Sequence, residues 1–255
     1  MRRLWALASN TFREAVRDRV LYSILFFAVG IILLSLALRE ITIGDQAKVV
    51  RSVAQGSIDI FGSIIAMFLG VSLVWKEIER KTVYTILSKP IPRWMFVLGK
   101  YLGLLLTLAV ELSVLLLIYV ALMLVQQGFP PPIVFVSYGM LFVELALLCA
   151  WATLFSTYSA PMTAAAFTLA IFVIGHLADD IWLYGSVAES PAVRSVARSL
   201  YWALPNFSLF SLRSEAVHER PIPWERIGPA VGYGLAYTSA VLGVAMAVFQ
   251  RRDLR

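Results

Sequence analysis

The chain has 255 residues, 60% of them hydrophobic and only 15% charged, with a mean hydropathy of +0.79. A water-soluble domain of this size carries about a quarter charged residues and roughly 45–50% apolar ones, so the composition excludes an ordinary soluble enzyme and assigns the apolar excess to lipid. The net charge of +6 comes from 22 basic and 16 acidic residues, few enough that their placement matters more than their sum, and the single Cys149 excludes an intramolecular disulfide and a cysteine-built metal site.

Residues 1–19 repeat Trp5, Ala8, Phe12, Ala15 and Val16 at helical spacing, with most charged side chains elsewhere on the wheel, which predicts an amphipathic helix lying in the membrane interface. It reads either as a basic topogenic anchor or as an elbow packed on the helix bundle. The uncharged run 20–38 would extend about 28 Å at ~1.5 Å per residue, enough to cross a hydrocarbon core of ~30 Å. It is too long for a signal-peptide core, and no small-residue cleavage site follows, so a retained helix is expected. Further runs at 58–75, 101–125, 133–155, 161–178 and 227–249 bring the expected fold to an all-α integral membrane protein of six transmembrane helices, one transmembrane domain over 1–255.

The basic residues set the orientation. Five lie in 1–19, six between spans two and three (Lys76, Arg80, Lys81, Lys89, Arg93, Lys100) and three in the tail, so 14 of the 22 fall on one side. Positive-inside bias then predicts cytoplasmic termini. The five arginines of 179–226 lie among six acidic residues in a long loop, which reports topology poorly.

The cytoplasmic segment 76–100 is more than a linker. Glu77 to Leu87 can form about three helical turns, with Ile78, Tyr84, Ile86 and Leu87 as an apolar tip, before Pro90 and Pro92 stop the helix and reset the chain direction. Such a segment can take force from a cytoplasmic partner, or it is a connector lying on the surface. On the opposite side, 200–212 is apolar, too short to span and broken by Pro205, and reads as a re-entrant or interfacial pair of short helices.

Inside the membrane, Glu111 in span three and Glu144 in span four fall near mid-depth, where an unpaired carboxylate is costly. They read as a proton- or cation-binding pair on adjacent antiparallel helices, or as neutral carboxyls hydrogen-bonded within the bundle or at a dimer interface. His176, Asp179 and Asp180 at the end of span five carry metal-ligating groups, but three such residues at a helix end recur by chance and no metal site is expected. With two histidines and neither a zinc-protease nor a nucleophile-elbow motif, no catalytic residue is assigned.

The order Glu79, Thr82, Ile86, Leu87, Ser88, Pro90, Arg93, Gly99, Lys100, followed by Tyr101, Leu102 and Gly103, resembles the coupling segment of ABC-2-type permeases, which lies between the second and third of six spans. Residues 10–27 and 204–212 resemble the branch of that family associated with multicopper-enzyme maturation. The resemblance implies the membrane permease subunit of an ATP-driven exporter in a bacterial inner membrane, paired with a second copy or a homologue. A separate ATPase chain would dock on each permease. Glu77, Glu79, Thr82, Ile86 and Leu87 would meet the ATPase through the coupling helix, Arg93 and Lys100 would support it, and Leu204, Pro205, Asn206 and Phe207 would form an outer gate. Lys81 stands where many relatives have glycine, so the docking angle is this chain's own. The only Gly-Lys pair, Gly99-Lys100, precedes a tyrosine and not Ser or Thr, so no phosphate-cradling loop is present. The chain would carry no cofactor, and ATP and magnesium would be held by the partner. Membrane lipids and periplasmic accessory proteins are compatible partners, and nucleic acid is not. The competing class is an ion-coupled secondary carrier using Glu111 and Glu144, and an intramembrane enzyme has little support.

Overall fold

The computed structural model describes residues 2–41, 45–79, 92–126 and 128–251, with the side chains of 38–41, 73–79 and 126 excepted. Among these the chain is helical throughout. Its elements are α1 (Arg2–Val16), α2 (Arg19–Ile41), α3 (Gln46–Glu79), α4 (Arg93–Gln126), α5 (Pro132–Tyr158), α6 (Pro161–His176), α7 (Ala178–Val187), α8 (Pro191–Ala203), a 3-10 turn at Ser208–Phe210, α9 (Arg213–Val217) and α10 (Trp224–Arg251). Five of these helices are long and apolar enough to cross a bilayer. The pair α6 and α7, bent by 58° at Leu177, makes a sixth if counted as one span.

Local chemistry sets the boundaries. The Asp18 carboxylate accepts the Val20 N–H at 3.0 Å and caps α2. Asp45 caps α3 through the Lys48 N–H at 3.3 Å, and the Lys48 ammonium, 2.8 Å away, is the main reason its carboxyl sits below the usual carboxylate range. Proline opens α5, α6 and α8, where a helix's first residue needs no amide donor. Past α4, Gly128 takes φ +96° and donates its N–H to the Met123 carbonyl at 3.1 Å, a left-handed closure that glycine adopts without steric cost.

In lipid, helices gain little by hiding apolar surface from one another, so close approach and internal hydrogen bonds decide the packing. Helix α5 is the centre, with α3 on one side, α10 on another, and α4 and α6 against it. Gly70 lets α3 sit directly on Ala152, the Ser156 hydroxyl donates to the Val71 carbonyl at 2.8 Å, and the Gln55 amide donates to the Ser137 hydroxyl at 2.9 Å. Helix α2 rests on α3 and turns Phe26, Phe27, Leu33 and Leu34 outward.

The amino-terminal helix is the packed elbow and not a free anchor. It buries Ala8, Thr11 and Ala15 against α4, where Gly99 and Gly103, one turn apart, leave room for Leu7, the Ala8 carbonyl and Thr11. Helix α3 starts at Gln46, well before the expected span at 58, because its polar first half is satisfied by α5 and by α9. The apolar run 200–212 is not a pair of short helices. Helix α8 ends at Ala203, packs back on α7 through Gly185 and Ala197, and the chain then turns inward as a buried strap with Phe207, Phe210 and Leu212 almost fully enclosed.

Gly103→Val should drive a side chain into the Ala8 carbonyl and Thr11, at about 1–3 kcal/mol. Gly139→Ala, at a position with open space, should be silent. Hydrogen exchange over residues 2–16 in the purified protein should rise in the first variant alone.

Candidate functional site

Three helices and the strap line a partly open cavity of about 200 Å³ with polar groups on every wall. From α3 come Asp59 and Ser63, four residues apart and so on one face. Ser137, Leu141 and Glu144 come from α5 at the same kind of spacing, Phe172 and His176 from α6, and Phe210 to Arg213 from the strap and the start of α9. The space is large enough for several waters and is lined by enough polar groups to hold them.

Glu144 is 4% exposed, and its Oε1 lies 3.2 Å from His176 Nε2. His176 Nδ1 lies 3.0 Å from the Phe172 carbonyl, which only accepts, so Nδ1 carries a hydrogen. The contact at Nε2 is therefore satisfied in two ways: a carboxylic acid donating to a neutral imidazole, or an imidazolium donating to a carboxylate. One proton lies between the two side chains in either case. The Asp59 carboxylate faces the same cavity without a direct hydrogen bond to a described residue, in the field of Glu144, His176 and Arg213, while its carbonyl accepts the Ser63 hydroxyl at 2.8 Å.

Arg213 locks the cavity's lid. Its Nη2 donates to the Ser52 carbonyl at 2.8 Å and reaches the Ser52 hydroxyl at 3.3 Å, and its guanidinium fills the notch at Gly56, where a Cβ would collide with it. Nearby, Arg51 pairs with Glu219, and Arg226 lies 3.6 Å from Glu215. The strap is held along its length. The Phe207 N–H donates to the Gly175 carbonyl at 3.0 Å, the Asn206 N–H to the Tyr233 hydroxyl at 3.1 Å, and the Asn206 amide to Asp179 at 2.7 Å. Asn206 Oδ1 also accepts the Ser208 N–H, closing a tight turn. Thus Asn206 and Phe207 of the expected gate are buried, with Pro205 beside them, and Leu204 is half-buried.

The sequence candidates separate in space. Glu144 meets His176, whereas Glu111 does not line the cavity, and its Oε2 is buried without a hydrogen-bond partner. His176 turns to Glu144, Asp179 to Asn206, and Asp180 is exposed; among the described residues no three histidine, cysteine or acidic side chains converge as a metal site. Arg93 donates to the Gln250 carbonyl at 3.1 Å, tying α4 to α10, and the buried Lys100 lies 3.9 Å from Glu14 of α1 and over the Phe96 ring. Thr82, Ile86 and Leu87 lie outside the described residues. Glu77 and Glu79 stand on the last turn of α3.

Asp59 and Arg213 are not legible as site residues in the sequence. Asp59 is one residue inside an apolar run and reads as its boundary; Arg213 is one of several arginines in a long loop and meets α3 from 161 positions away.

Residues 5–254 match the family model of ABC-2 family transporter proteins. The chain belongs to the ABC-2 transporter family. It is a multi-pass membrane permease of an ABC transporter, and the match is to the family as a whole and not to a branch within it. No curated protein matches the sequence directly. In this ABC-2 permease the cavity lies within a single chain, with Phe210 to Arg213 along one wall.

Glu144→Leu should strand His176 Nε2 and cost about 1–2 kcal/mol, and the double variant with His176→Leu should cost less than the two single losses combined. Thermal unfolding of the four proteins in one detergent gives the coupling, expected near 1 kcal/mol; additive losses would show that the pair does not interact.

Proposed function

We propose that this permease works in an ATP-driven exporter of a bacterial inner membrane, with both termini cytoplasmic. Two permease chains, identical or homologous, form the membrane part, and each is gripped by a separate ATPase subunit that holds ATP and magnesium. The grip is the segment 77–93, with Glu77, Glu79, Thr82, Ile86 and Leu87 at the contact and Arg93 and Lys100 bracing it from α4.

The single observation that carries this reading is the course of α3. It is one uninterrupted helix from Gln46 to Glu79, and the same helix supplies Ser52 and Gly56 to the Arg213 clamp and Asp59 to the cavity. From Ser52 to Glu79 is about 40 Å at ~1.5 Å per residue, more than the ~30 Å hydrocarbon core. A pull on its cytoplasmic end reaches the strap through a rigid element and not through a chain of loose contacts. Closure of the ATPases would tilt α3, withdraw the Ser52 carbonyl and the Gly56 notch from Arg213, and free the strap at 204–212. The cavity then opens to the outer face, and resetting the ATPases restores the clamp.

This supports an alternating gate worked from the cytoplasm and gives the chain no chemistry of its own. The mostly apolar surroundings of a small polar cavity suit a cargo with both characters.

The permease should be purified from its host membranes by an affinity tag. The ATPase is expected to be retained in equal amount, and Thr82→Arg with Leu87→Glu should lower that retention at least tenfold while the permease itself remains folded. Undiminished retention in the double variant, or the absence of any ATPase in the complex, would overturn the assignment of the grip.

A further inference from the structure

Helix α1 lies across the base of α4 on Gly99 and Gly103 and leaves a second space beside that contact. The space is a groove of about 640 Å³, open on its side, with Trp5, Phe12 and Arg13 of α1 on one wall and Leu106, Val110 and Leu117 of α4 on the other. Trp5, Phe12 and Arg13 fall on one face of α1, just as Leu106, Val110 and Leu117 fall on one face of α4. We propose that this groove is a binding site for one anionic phospholipid, with an acyl chain along α4 and the phosphate at Arg13.

Depth and charge identify the occupant. Leu106 and Leu117 are separated by about 16 Å of helix at ~1.5 Å per residue, half of a ~30 Å hydrocarbon core. The groove therefore accepts the chains of one leaflet, where a neighbouring transmembrane helix would need a surface twice as long. Its α1 wall is basic. Arg13 makes no hydrogen bond or ion pair with any described residue, while Glu14, the one acidic residue of α1, lies toward Lys100. Arg2 and Arg3 lie on the same helix, so α1 carries three arginines against one glutamate. A basic side chain at the surface of a membrane attracts anionic headgroups, and Trp5, 65% exposed, is the amphipathic ring expected at headgroup level. Ser9, also in the groove wall, adds a hydroxyl donor. The elbow thus holds a lipid between itself and the bundle, and this site stands whether or not the ATPase grips 77–93.

The test is native mass spectrometry of the purified permease in mixed micelles containing equal phosphatidylglycerol and phosphatidylcholine. One phosphatidylglycerol per chain should be retained in preference to phosphatidylcholine. Arg13→Gln, at an exposed position that should not disturb folding, should lower this preference about fivefold, and Ala109→Trp, which fills the groove, should abolish retention with Arg13 still in place. Equal retention of the two lipids, or retention unchanged in both variants, overturns the proposal. So does an Ala109→Trp variant that dissociates a permease dimer while keeping its lipid, because the groove would then belong to a second copy of the chain.

Discussion

A bilayer offers no hydrogen-bond partner, so every polar group carried into it must find one inside the protein. That constraint is met at the centre of this permease, while Glu111 Oε2, the Tyr138 hydroxyl and Trp151 Nε1 are buried without a partner among the described residues. Helix α5 carries Ser137, Glu144 and Ser156 into the centre of the bundle, and each is met by a neighbour: Gln55 and the Val71 carbonyl on α3, and His176 on α6. The order of helices around α5 follows from where those partners stand. The small residues that allow close contact, Gly70 against Ala152 and Gly62 against Leu145, place α3 at the distance the hydrogen bonds need.

The same constraint explains the strap. A polar cavity open to hydrocarbon would expose Asp59 and Glu144 to an environment that costs several kcal/mol per charge. The segment after α8 turns inward, buries Phe207 against Gly175 and lines the cavity with Phe210 and Leu212, and its own backbone groups are satisfied by Gly175, Tyr233 and the turn around Asn206. Arg213 fastens this cover to α3 through Ser52, and the proposed coupling of the strap to the far end of α3 runs through that contact. The transport reading rests on that union and not on any reactive side chain.

Hydropathy made the bundle legible, because long apolar runs and proline starts are local signals; so was the amphipathic spacing of Trp5, Ala8, Phe12 and Ala15. Three kinds of feature were not legible. Helix α3 continues back to Gln46 through polar residues that pair with α5 and α9, so the apolar run starts too late to mark its beginning. The partner of Glu144 is His176 and not Glu111, a choice set by helix rotation, which sequence spacing within one span does not determine. The bend at Leu177 and the inward turn after Ala203 depend on contacts with Gly175, Asp179 and Tyr233 that lie in other elements.

The central claim is that the cytoplasmic end of α3 and the strap move as coupled parts. Spin labels at Asp45→Cys, beside the start of α3 at its clamp end, and Ser214→Cys, on α9, in a background with Cys149 replaced by alanine, report whether α3 moves against the strap in the complex with its ATPase. The account predicts that the distance distribution shifts when the ATPase is trapped with ATP and vanadate, and that the shift disappears when the proposed grip at 77–93 is disrupted by substitution. A distribution identical in the nucleotide-free and trapped states would contradict it.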